Sequence, residues 1–112
     1  MNKNKALVLL LLLTGCMSYQ PTTPVEADIE RVKSVYPTYT LEQLKEGKAL
    51  YESKCSDCHG LKRPGGHSPD QWQKIVPRMT AKANKKSPGQ ITPEQSEQIV
   101  KFLVTMSLAG KS

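Results

Sequence analysis

Cys55-Ser56-Asp57-Cys58-His59 places two thiols and an imidazole within one short stretch of chain. Thiols at this spacing on a helical turn can each add to one vinyl group of the same porphyrin. The adjacent histidine then points its imidazole at the iron, so a change of spacing misplaces either a thioether or the ligand. Three other chemistries use similar residues. A redox-active dithiol of the thioredoxin type expects a βαβ setting, and no βαβ pattern is visible here. A zinc site completed by His67 would ask the direct neighbours Cys58 and His59 to occupy two corners of one tetrahedron. A structural disulfide needs an oxidising compartment and leaves His59 without a role. Covalent haem attachment uses all three residues as they are spaced.

The elements that must position this pentapeptide read as helices throughout. Thr23-Pro24-Val25-Glu26 has the form of a helix start, with Thr23 as N-cap and Pro24 at the first helical position. Val25, Ile29, Val32 and Tyr36 follow as one apolar stripe, which Pro37 ends. A second start lies at Thr40 to Gln43. From it Leu41, Leu44, Gly47, Leu50 and Tyr51 share a face leading directly to the cysteines. A third start, Ser68-Pro69-Asp70-Gln71, precedes Trp72, Ile75 and Val76, and Pro77 is expected to kink or end that helix. The last, Thr92-Pro93-Glu94-Gln95, opens a helix with Ile99, Val100, Leu103 and Met106 near one side. Residues 62–66 and 82–89 are rich in glycine, proline and lysine and read as loops. No segment alternates as a strand does and no internal repeat is visible, so the fold class is all-α.

The beginning of the chain reads as an export signal. Lys3 and Lys5 form a basic start, and residues 6–13 are an unbroken apolar run. That run is about half the roughly 20 residues a membrane helix needs. It ends in Leu13-Thr14-Gly15-Cys16, which resembles the lipobox of bacterial lipoproteins and makes Cys16 the expected site of lipidation. Residues 1–15 are then a signal peptide, residues 16–39 a lipidated tether with a short helix, and residues 40–112 the folded domain. With lipid on Cys16 and porphyrin on Cys55 and Cys58, none of the three cysteines remains as a thiol. The formal charge of +6 falls to +4 once Lys3 and Lys5 depart with the signal, and ionised haem propionates lower it further. No basic run interleaved with aromatics points to DNA or RNA.

The surroundings of the pentapeptide resemble the class I cytochrome c family over residues 41–108. Gly47, Tyr51 and Cys55 recur at intervals of four. The resemblance implies that this glycine and aromatic cross closely against the C-terminal helix, at Phe102 or Leu103. It implies one covalent haem c ligated by His59. The segment from Trp72 to Arg78-Met79 resembles that of small bacterial cytochromes whose methionine approaches the iron, which makes Met79 the expected sixth ligand. His67 is the second candidate, and Met106 is set aside as a packing residue. By the same resemblance the Pro64 carbonyl is expected to accept from the second imidazole nitrogen of His59. Trp72 is expected to pack on the haem, to reach a propionate, or simply to fill the core.

What the resemblance implies is a single-electron carrier on the periplasmic side of a bacterial membrane, held there by Cys16, with the choice of inner or outer membrane open. Two other classes are a fixed haem subunit of a larger dehydrogenase or oxidase, and a haem sensor or peroxidase. The last needs distal acid–base groups, and apart from His67 no catalytic cluster is visible. The chain is thus expected not to be an enzyme. Its partners are expected to be redox proteins with acidic docking surfaces, facing Lys62, Arg63, Lys74, Arg78, Lys82, Lys85 and Lys86.

Overall fold

The computed structural model describes residues 21–55 and 60–109. Four α-helices and one 3-10 turn make up its regular structure: α1 (Glu26–Arg31), α2 (Leu41–Lys54), the turn Pro64–Gly66, α3 (Pro69–Lys86) and α4 (Pro93–Ser107). Among the described residues there is no strand, so the all-α expectation holds. No described helix is long and apolar enough to cross a membrane. The expected signal sequence, residues 1–15, and Cys16 lie outside the described residues.

Three helices begin where their sequences place the caps. Thr40 Oγ1 accepts the Gln43 N–H at 3.1 Å while Gln43 Oε1 accepts the Thr40 N–H at 3.0 Å. Ser68 with Gln71 and Thr92 with Gln95 repeat the exchange, with Pro69 and Pro93 at the first helical positions. Each exchange satisfies two N–H groups that a helix start otherwise leaves to water, and the cap residue alone contributes about 1 kcal/mol.

α1 starts two residues later than its Thr-Pro sequence suggests. Its N-cap is Val25, whose N–H donates to Asp28 Oδ2 at 2.9 Å, and Arg31 holds the other carboxylate oxygen at 2.8 Å. A carboxylate at the third helical position, itself 5% exposed, sets the start here in place of the Thr23 hydroxyl. Val25 leaves the apolar stripe and is 53% exposed, whereas Ile29 and Val32 are buried and Tyr39 joins them. The stretch before Thr40 contributes side chains to the common core from Ile29 onward.

α4 is the centre of the fold and packs against α1, α2, α3 and the turn. Ile99, Phe102, Leu103, Val104, Thr105 and Met106 are all buried, with Phe102 and the facing Leu44 at 0% exposure. α2 crosses α4 at Gly47, where an added Cβ would meet the Gln98 carbonyl oxygen at 2.5 Å and Phe102 Cβ at 2.9 Å. Only glycine permits this approach. Tyr51 fills the space one turn on, its ring centroid 5.7 Å from that of Phe102. Phe102 is thus the residue facing the crossing.

α3 does not end at Pro77 but runs through it to Lys86, so the loop expected from residue 82 begins only after that residue. Pro77 offers no N–H to the carbonyl of Gln73. Both residues lie on the exposed side of the helix, where water can serve that carbonyl. The helix is also held to the core on both sides of the proline. Trp72 and Val76 are buried before it, and after it Thr80 Oγ1 lies 3.0 Å from Ser96 Oγ. One turn further, the Asn84 amide donates to the Ile91 carbonyl and accepts the Ile91 N–H, both at 2.8 Å. Gly89, at φ 75°, turns the chain between the two.

Candidate functional site

A cleft of about 500 Å³ opens between the end of α2, the segment beginning at Gly60, and α3. Tyr51, Lys54 and Cys55 form its α2 wall, and Gly60 and Lys62 continue that wall. Trp72, Ile75, Val76, Met79 and Ala83 form the α3 wall, and Ile91, Ile99 and Leu103 close the floor. Cys55, in that wall, is the C-cap of α2 and half-buried. Cys58 and His59 lie outside the described residues.

Of the two candidate sixth ligands, Met79 lines the cleft and His67 does not. Met79 is 41% exposed on α3, an unusual position for a methionine in a chain whose Met106 is 2% exposed in the core. His67 caps the 3-10 turn, and its ring meets Trp72 edge-on at 4.7 Å between centroids. Trp72 lines the cleft with its ring, but its Nε1–H is not free for a propionate, because it donates to the Pro64 carbonyl at 2.7 Å. The oxygen expected to serve His59 therefore already has one strong donor, and the His67 N–H approaches it at 3.5 Å.

Among the described residues the charge around the mouth is of one sign: Lys54, Lys62, Lys82, Lys85 and Lys86 border the cleft and no described aspartate or glutamate does. Arg63, Lys74 and Arg78, grouped with these by sequence, are not among the lining residues. Lys54 is, and its place next to Cys55 at the end of α2 was the signal for it. Ile91 was also missed, because its burial depends on the Asn84 side chain seven residues away.

An apolar interior, a volume within the roughly 300–1,000 Å³ of ligand sites, a cysteine at the wall and cations at the rim suit a large flat apolar group with anionic edges. Haem is such a group. Residues 42–103 match the family described as cytochrome c oxidase, cbb3-type, subunit III. The chain belongs to this family of c-type cytochromes. The cytochrome is also similar to the quinohemoprotein alcohol dehydrogenase ADH IIB of Pseudomonas putida, at 39% identity over 72 residues. That match covers 63% of the cytochrome but only 10% of the dehydrogenase. No solved structure matches the cytochrome significantly. Membership of a c-type family implies haem c bound covalently, and the cleft fits it.

Proposed function

We propose that this cytochrome carries single electrons through one haem c, bonded to Cys55 and Cys58 and ligated by His59 and Met79. The supporting observation is the apolar cleft between the end of α2 and α3, with Cys55 and Met79 in its walls. Haem supplies a one-electron couple at its iron. The chain's own residues do the rest. Ile75, Val76, Ile99 and Leu103 exclude water from the interior, which limits the rearrangement that accompanies a change of charge. The Met79 thioether offers a soft, uncharged donor that favours the reduced state. The rim lysines can pair with propionates and face a partner of opposite charge.

On this reading the chain is a carrier, not an enzyme, and lipid on Cys16 keeps it at the periplasmic face of a membrane. With core side chains contributed from Ile29 onward, the free tether is shorter than residues 16–39. A second reading, a fixed haem subunit serving a dehydrogenase, is favoured by the similarity to a quinohemoprotein. Visible spectra of the oxidised and reduced holoprotein test the ligand set. A methionine-ligation band unmoved by carbon monoxide supports the carrier, and a carbon monoxide adduct of the wild type refutes it. Purification from the native membrane separates the two readings: a dehydrogenase that stays bound through high salt favours the fixed subunit.

A further inference from the structure

The two described ends of the motif segment meet on one residue, Tyr51. The Tyr51 hydroxyl accepts the Lys62 N–H at 2.8 Å and donates to the Lys62 carbonyl at 2.5 Å. One turn along α2 the Cys55 N–H donates to the Tyr51 carbonyl at 3.0 Å. Residues 56–61 therefore join two points, Cys55 and Lys62, that are both hydrogen-bonded to Tyr51. A second tie lies just beyond, where Trp72 Nε1–H holds the carbonyl of the buried Pro64. Tyr51 and Trp72 are 4% and 3% exposed, so water does not readily replace either bond. Packing alone does not call for the hydroxyl, since a phenylalanine would meet Phe102 equally well. The hydroxyl serves the backbone of Lys62, within residues 60–63, which form neither helix nor strand.

We propose that Tyr51 is a positioning residue whose hydroxyl clasps the chain behind the haem-attachment motif. The clasp fixes Lys62 against the end of α2. The chain on either side of the motif, at Cys55 and at Lys62, is then held to one residue, and the ligand between them is anchored from both sides. This inference rests on the haem reading of the motif. It differs from an ordinary core role because the aromatic ring packs the helices while the hydroxyl holds the backbone of Lys62.

The test uses the holoprotein and needs no variant for its first arm. Native-state amide exchange of the wild type is expected to show Lys62 protected in both oxidation states, and rapid exchange there overturns the proposal. In Tyr51→Phe the Lys62 amide is expected to exchange roughly three- to tenfold faster, with amides of α4 unchanged. The midpoint potential of that variant is expected to rise, because an imidazole held less firmly donates less to ferric iron. Tyr39→Phe, which removes a buried hydroxyl without touching the clasp, is expected to leave both readouts unchanged. Unchanged Lys62 exchange, a rise shared equally by α4, or an unmoved potential overturns the positioning role. A wild type that carries no porphyrin overturns the haem reading instead, and mass analysis distinguishes the two failures.

Discussion

Replacing Gly47 with alanine perturbs the crossing of α2 and α4 on which the frame of the site depends. The added methyl carbon stands 2.5 Å from the Gln98 carbonyl oxygen, where ordinary contact begins at 3.4 Å, so the helices must part by about 0.9 Å. Neither obstacle can swing aside: one is backbone, and the other is the Cβ of Phe102, a side chain at 0% exposure. Overpacking of this kind costs about 1–3 kcal/mol, and backbone obstruction places it in the upper part of that range. Alanine recovers about 1 kcal/mol through its better helix propensity. The net loss is then about 1–2 kcal/mol, which for a domain of this size lowers Tm by roughly 5–15 °C. Thermal unfolding of the holoprotein, followed by far-ultraviolet circular dichroism and by the Soret band, measures it. Gly65→Ala is the control, since an added Cβ there meets nothing within 4 Å, and it is expected to stay within about 0.5 kcal/mol of the wild type. If Gly47→Ala is as stable as the wild type, helix propensity outweighs the contact and the close crossing is refuted.

Three further sets of substitutions carry expected outcomes. The Tyr39 hydroxyl is buried with no hydrogen-bond partner among the described residues, so Tyr39→Phe should raise stability at neutral pH by about 1 kcal/mol in denaturant titrations. Burial also holds the Tyr39 phenol protonated well above its ordinary 10.0 in the folded state. The unfolded chain ionises from about pH 10 upward, so the wild type loses stability there by up to about 1.4 kcal/mol per pH unit, and Tyr39→Phe should lack that part of the slope. Met79→Ala should abolish the methionine-ligation band and admit carbon monoxide, whereas an unchanged spectrum moves the sixth ligand elsewhere. Reversing the charge of Lys82, Lys85 and Lys86 to glutamate should slow electron exchange with an acidic partner about tenfold or more at low salt, and equal rates would remove these lysines from docking.

Sequence reading reached furthest where local chemistry decides structure. The caps at Thr40, Ser68 and Thr92 lie within four residues of the groups they satisfy, and all three formed as their sequences suggested. The Gly47–Tyr51–Cys55 interval led to the α2–α4 crossing through the family resemblance, and the close approach at Gly47 gives that glycine its steric reason. Readings failed where distant partners override local preference. Pro77 sits inside α3 because Trp72, Val76, Thr80 and Asn84 hold that helix to the core on both sides. Thr23-Pro24 looked like a helix start, yet the Asp28 carboxylate, paired with Arg31, moved the cap to Val25. At the site, Cys55 was singled out by the spacing of the pentapeptide and Met79 by the resemblance of its segment, and both line the cleft. The Tyr51–Lys62 clasp spans eleven residues and joins a hydroxyl to backbone groups, which leaves no pattern in the sequence.

The most direct measurement is the mass of the protein exported and matured in cells that attach haem, taken after full denaturation, with peptide mapping across Cys55 and Cys58. One porphyrin retained through two thioether bonds, both on that peptide, is the predicted result. A denatured chain of unmodified mass, with both sulfurs open to alkylation, would contradict it.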